Sequence, residues 1–245
     1  MKVIFSGAED SGKSLMIARV AENLVYRNEK WAKITGKPRP IVSNMEFSER
    51  FHVFAAKHNV PVRHWRDIAE LPSLTSCDLV MDEIGTYLDA RTFKDLPLDV
   101  RLWLQQASKM GVDIYGTAQD FAQVDVSFRR LMTKDNGGLW HISKIIGSPR
   151  PNETRPPVAR IWGVCSMRQL DPVAYDEESK KFAGQGLPRF FFITAHYCAF
   201  FDTTKRIPTS RPVPLKHIAR PCADPNCEFK MYETHDGRIH RIFHV

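Results

Sequence analysis

Three absences narrow the field before any motif is read. No stretch approaches the roughly 20 consecutive apolar residues that a membrane-spanning helix needs. The nearest, Phe190 to Phe201, is too short, and its aromatic and β-branched content suits a buried strand. No secretory leader is expected, because Lys2 leads directly into the apolar run Val3-Ile4-Phe5 and then a glycine-rich loop. Cysteine is scarce and odd in number, 5 in 245 residues, which argues against a disulfide framework and favours a reducing cytosol. Internal repeats and low-complexity tracts are missing too. What is left is an ordinary globular composition, 43% hydrophobic and 26% charged. The length suits one α/β domain with an elaboration, or a core domain plus a small appendage. The formal charge of +7 fits a polyanionic partner, nucleic acid or an anionic membrane surface, and fits plain solubility equally well.

What the chain does contain is Gly7-Ala8-Glu9-Asp10-Ser11-Gly12-Lys13-Ser14, a match to the phosphate-binding loop pattern G-x-x-x-x-G-K-[ST]. It follows the Val3–Phe5 run and precedes Leu15 to Ala21, whose apolar spacing predicts a helix packed on a sheet. Strand, loop and helix stand in the order the chemistry requires. Glycines let backbone N–H groups turn inward around phosphate oxygens, and the helix N-terminus adds partial positive charge. Lys13 is expected to reach the β- and γ-phosphates, and the Ser14 hydroxyl to bind Mg²⁺.

A second signature follows at Asp78-Leu79-Val80-Met81-Asp82-Glu83, an apolar strand ending in two acids in the manner of a Walker B segment. Asp82 is the expected support for Mg²⁺, and Glu83 is placed to polarise a water attacking the γ-phosphate. The strand Val112 to Gln119 ends in a polar amide, so Gln119 is a candidate γ-phosphate sensor. Arg129 and Arg130 come shortly after it. Either one contacts a phosphate, in its own or a neighbouring subunit, or the pair is a solvated basic helix start.

Between these motifs the reading is coarser. Lys30 to Pro40 is basic and turn-rich and reads as a surface loop; Pro40 to Met45 reads as a strand and Glu49 to His58 as a helix. Val60 to Val62 is a short strand, Asp67 to Leu74 a helix or turn, and Leu98 to Met110 an amphipathic helix stopped by Gly111. Asn136-Gly137-Gly138 signals a turn before a strand at Trp140 to Ser143, and Pro149 to Pro157 is a proline-rich loop. Val158 to Met167 and Arg189 to Phe201 then flank a polar segment, Asp171 to Gly186, and are expected to extend the sheet antiparallel. Near the C-terminus, Cys222 and Cys227 form C-x₄-C, with His235 and His240 after them. Two thiolates and two imidazoles suit tetrahedral Zn²⁺, which would staple a hairpin too small for its own core. Solvated histidines at a basic terminus are the alternative.

These residues resemble the Zot-type ATPases, the family of the zonula occludens toxin domain and the filamentous-phage assembly ATPases. That family sits within the FtsK–HerA-like DNA-pumping group. The resemblance rests on the phosphate loop, Ser43-Asn44, Asp82-Glu83, Arg91, Lys109 to Ile114, Gln119, and Val124-Asp125 with Phe128-Arg129. It covers about residues 1–205, closing with Phe201-Asp202-Thr203 as a strand, and leaves 206–245 as a tail. It implies an α/β P-loop NTPase: a mainly parallel sheet flanked by helices, with an added catalytic-glutamate strand and a β extension. It further implies ATP hydrolysis with Mg²⁺, a homo-oligomeric ring, and work on phage DNA in virion assembly, extrusion or genome packaging. Glu83 would activate water, Gln119 would be the sensor, and Arg129 matches the family's arginine after the sensor strand, an arginine finger whose subunit the resemblance does not assign. The implied setting is the host cytoplasm, peripheral at the inner membrane or at a virion vertex. Filamentous-phage members continue into a membrane-spanning helix, whereas this sequence stops at Val245 without one. A soluble packaging relative, or membrane contact through another protein, is therefore expected. The competing readings are a nucleotide-gated scaffold or membrane-machine adaptor with little turnover, and a small-molecule kinase.

Overall fold

The first strand, β1 (Lys2–Ser6), is buried along its whole length, as a strand covered on both faces must be. It lies inside an eight-stranded sheet in a computed structural model that describes residues 1–9, 11–132, 137–147, 161–176, 181–200, 229–233 and 239–243. Its companions are β2 (Ile41–Ser43), β3 (Val62–His64), β4 (Asp78–Met81), β5 (Asp113–Ala118), β6 (Gly137–Gly147), β7 (Ile161–Asp176) and β8 (Lys181–Thr194). The order across the sheet is β3-β2-β4-β5-β1-β6-β7-β8. The six strands from β3 to β6 run parallel; β7 and β8 are antiparallel. The fold is thus α/β with a mostly parallel sheet flanked by helices and a β extension.

This order has one consequence for the site. β5 is inserted between β1 and β4, so the strand carrying the phosphate loop and the strand carrying the acids are not neighbours. Because the strands are parallel, the segments after β1, β2, β4 and β5 all emerge at the same edge, where ligands bind open α/β sheets.

The helix after the loop, α1 (Lys13–Thr35), is longer than the sequence suggests. Lys30 to Thr35, expected in a surface loop, forms its last turns. No breaker intervenes before Gly36, whose left-handed φ of 70° caps the helix, and Glu29 pairs with Lys33 one turn on at 2.9 Å. Leu15, Met16, Ile17, Ala18, Ala21, Leu24 and Val25 form the buried face of α1. They share one core with Val3 and Phe5 of β1 and Phe51 of α2 (Glu49–Lys57), while Ile4, Leu79, Met81 and Ile114 join α3 (Leu98–Gln106) in the core on the sheet's other face.

At the N-terminal end of β4 the fully buried Asp78 is held by Arg27, by Arg39 Nη2 at 3.0 Å and by Asn28 Nδ2 at 2.7 Å. Buried carboxylates persist only when paired and hydrogen-bonded, and this one ties α1 to β4.

The extension departs from expectation in three ways. Gly137 and Gly138, read as a turn, begin β6. Most of the polar segment Asp171 to Gly186 is strand, since β7 runs to Asp176 and β8 starts at Lys181. Phe190 to Phe201 is strand only to Thr194, followed by a short helix α5 (Ala195–Cys198). Pro149 to Pro157 and Phe201-Asp202-Thr203 lie outside the described residues.

The chain divides into two units, Met1–Ile207 and Pro208–Val245. In the second, β9 (Phe229–Glu233) pairs antiparallel with β10 (Ile239–Phe243). Of the expected zinc ligands, Cys222, Cys227 and His235 lie outside the described residues, and His240 pairs through its backbone with Tyr232. No cluster of metal-binding side chains and no helix long and apolar enough to cross a membrane occurs among the described residues.

Candidate phosphate-binding site

The loop after β1 is shaped by two glycines that no other residue could replace without strain. A Cβ on Gly7 would lie 2.4 Å from the Ile142 carbonyl oxygen and 2.6 Å from the Ser11 hydroxyl. Gly12, at φ 95°, turns the chain into α1 in a left-handed conformation that side chains disfavour. The loop closes with Ser11 N–H donating to the Ala8 carbonyl at 3.3 Å. Ala8 and Glu9 are exposed, Ser14 is half-buried on the first turn of α1, and Asp10 lies outside the described residues.

Lys13 is buried at the start of α1, and its ammonium donates to the Gly7 carbonyl at 2.8 Å and the Ala8 carbonyl at 2.7 Å. The charge therefore sits over the mouth of the loop, where backbone N–H groups and the helix N-terminus already favour an anion. The buried Ser11 hydroxyl has no hydrogen-bond partner among the described residues. A phosphate oxygen would satisfy it. Behind the loop, Cys165 of β7 is fully buried, and its thiol donates to the Ser11 carbonyl at 3.3 Å.

The two acids follow β4 directly. Asp82 is buried, and Asn44, just after β2, brackets its backbone. The Asn44 Oδ1 accepts from Asp82 N–H at 2.7 Å and its Nδ2 donates to the Asp82 carbonyl at 3.0 Å. Thr117 of β5 joins both acids: its hydroxyl donates to the Asp82 carboxylate and accepts from Glu83 N–H at 2.8 Å. Burial pushes the Asp82 pKa up from the ordinary carboxylate value; the Thr117 hydrogen bond and, more weakly, the Lys13 charge oppose it. Glu83 adopts the left-handed region, φ 50° and ψ 51°, a costly conformation for a non-glycine residue. Its half-buried carboxylate accepts from Gln119 Nε2 at 3.1 Å, the residue after β5.

The structure thus brings together the loop, Lys13, Asp82, Glu83 and Gln119 at one sheet edge. Arg129 is half-buried at the end of α4 (Val126–Arg129), with its guanidinium carbon 6.0 Å from the Phe121 ring centroid. Thr117 and Cys165 stand outside every sequence motif, and Asn44 enters the family resemblance with no role of its own. Thr117 stands two residues before Gln119, so strand alternation puts both on one face of β5, though its partnership with Asp82 comes only from strand pairing. On the other flank of β1, His141 of β6 is level with Ser6, and its Nδ1 is 3.4 Å from the Ser6 hydroxyl.

No protein-family model matches the sequence, and no curated protein matches it. Among solved structures it is similar to the N-terminal domain of zonular occludens toxin from Neisseria meningitidis. That likeness has 16% identity, covers 82% of this chain and 98% of the other, and has a TM-score of 0.50. It is also similar to the genome packaging NTPase B204 from Sulfolobus turreted icosahedral virus 2 in complex with AMP, at 12% identity over 75% and 96% of the two chains, TM-score 0.41. The flagellar accessory protein FlaH from Methanocaldococcus jannaschii gives 11% identity over 76% and 89%, TM-score 0.44. At such identities the likeness to the toxin domain is one of fold alone.

Proposed function

We propose that this chain is a Zot-type ATPase of the FtsK–HerA-like group, a motor that hydrolyses ATP to move phage DNA during virion assembly, extrusion or packaging. The observation that carries the reading is the joining of the phosphate loop to an acid pair: Lys13 on one side, Asp82 and Glu83 linked through Thr117 on the other. The fold likeness to the toxin domain supports the same branch.

In this mechanism Lys13 exchanges its two carbonyl contacts for oxygens of the β- and γ-phosphates, and the loop N–H groups with Ser11 take the rest. The oxygen donors Ser14 and Asp82 suit a hard cation, and the buried Asp82 carboxylate is an anion whose burial such a cation would offset. Held by Ser14 and Asp82, Mg²⁺ would supply charge neutralisation at the phosphate oxygens. Glu83 accepts the proton of the attacking water, and Gln119 holds that carboxylate in line. Arg129 is assigned to a neighbouring subunit's phosphates in a ring, where it stabilises charge building on the γ-phosphate. The ring works in the host cytoplasm, at the inner membrane face or a virion vertex. The same contact admits a second reading, a slower nucleotide-gated scaffold in which Gln119 withholds that Glu83 oxygen from water instead of aligning it.

Phosphate release by wild type and Glu83→Gln, with and without single-stranded or duplex DNA, separates the readings. The motor predicts DNA-stimulated release, lowered at least about 100-fold in the variant while nucleotide still binds. Binding without turnover under every condition would establish the scaffold. Phosphate appearing on a metabolite would establish a kinase.

A further inference from the structure

The acid pair occupies one flank of the phosphate loop; the other flank carries a group with no role in the mechanism above. His141 lies on β6 at the level of Ser6, the residue that leads into the loop. Its neighbour Ile142 touches the loop itself, through the carbonyl that excludes any side chain at Gly7. His141 is therefore fixed one residue from the loop's first turn, its Nδ1 edge turned to the Ser6 hydroxyl.

Its surroundings are cationic. From α1, the charge acting on the ring is that of Lys13. From β7, Arg168 stands directly opposite His141 across the antiparallel ladder, and it is exposed. From β1 comes only the neutral Ser6 hydroxyl. Among the described residues no carboxylate charge acts on the ring. Partial burial, then Lys13, push the His141 pKa below its ordinary value of 6.5, so the ring is neutral at physiological pH. A polyphosphate held at Lys13 reverses that balance, because an anion within a few ångströms favours imidazolium.

We propose that His141 is a further nucleotide-binding residue, contacting the phosphate chain on the flank opposite the acids and taking up a proton from solvent as it does so. Arg168 is the second cation of the same rim. The inference rests on the nucleotide-binding reading above and adds to it a partner for the phosphates and a pH dependence of binding. Protonation comes with ligand, so nucleotide affinity rises as pH falls from about 8 toward 6.5.

Calorimetric titration of the full chain with MgATP at pH 7.5, in Tris and in Hepes, reads the proton directly, because the buffers differ in ionisation enthalpy. Wild type is expected to take up as much as about one proton per nucleotide. His141→Gln keeps an amide for Ser6, and it is expected to bind roughly tenfold more weakly with that uptake gone. His141→Lys, carrying a fixed charge, is expected to restore affinity without uptake. Equal uptake in wild type and His141→Gln would overturn the inference and leave the nucleotide reading intact. Absence of binding heat and of any MgATP-induced thermal shift in all three proteins would overturn that reading itself, and this inference with it.

Discussion

Gln119 reaches from the end of β5 to donate its side-chain amide to the Glu83 carboxylate at 3.1 Å. The contact spans the two strands that meet beside the phosphate loop, and it orients a base whose backbone is already in a strained left-handed turn. Gln119→Ala is expected to lower turnover by about 10- to 100-fold while nucleotide affinity stays within about threefold. Gln119→Glu replaces the donor with a like charge beside Glu83 and is expected to lower turnover at least as far as Gln119→Ala. Steady-state release across pH, paired with nucleotide titration, checks both.

Gly7 tests the cradle itself. Gly7→Ala drives a methyl group to 2.4 Å from the Ile142 carbonyl, backbone that cannot step aside. Nucleotide affinity is expected to fall by at least about 100-fold, with a stability loss of about 1–3 kcal/mol from overpacking. Gly36→Ala, at φ 70° with open space around it, should cost about 1 kcal/mol and leave affinity unchanged. Denaturant melts and fluorescent-nucleotide binding distinguish the two.

Asp82 sets a stability–function conflict with a defined sign. Its folded pKa is raised above the model-peptide value of 3.8, chiefly by burial. The folded chain therefore binds that proton more tightly than the unfolded chain. The associated stability is fully present below about pH 3.8 and is lost as pH rises through the folded pKa. At neutral pH the ionised Asp82 is destabilising, so Asp82→Asn should melt higher without ligand, by about 2–4 °C per kcal/mol recovered. The gap should close as pH falls toward 4. Added Mg²⁺ and nucleotide should stabilise wild type more than the variant, whose turnover should be lost. Thermal melts from pH 4 to 8, with and without MgATP, measure all of this.

Asp78 provides the contrast, a buried carboxylate far from the chemistry. Asp78→Ala leaves Arg39, whose side chain is only 13% exposed, without its carboxylate and should cost about 3–5 kcal/mol. Asp78→Asn should cost less, because Asn28 and the arginines keep an oxygen to bind. Nucleotide affinity of whatever remains folded should match wild type.

The features legible in the sequence are those written in consecutive residues. Gly7 to Ser14 and Asp82-Glu83 each carry their chemistry in a short spacing, and the apolar runs beside them announce buried strands. Asn44 and Thr117 were not legible as partners of Asp82, because they meet it across 38 and 35 residues of chain through strand pairing. His141 is farther still from Ser6, at 135 residues, and only the β1–β6 register unites them. The polar stretch in β7 and β8 resembles a loop for a different reason: its charged residues, Pro172 and glycines are turn signals in sequence, and strand pairing overrides them.

Cys165 gives the cradle a built-in clock. Its sulfur is sealed beneath Ser11, 3.0 Å from where a methyl group on Gly12 would stand, so an alkylating reagent can reach it only when the loop lifts from β7. The pace of its labelling, followed by mass spectrometry, thus times the breathing of the loop. Occupancy that pins the loop down should slow that clock.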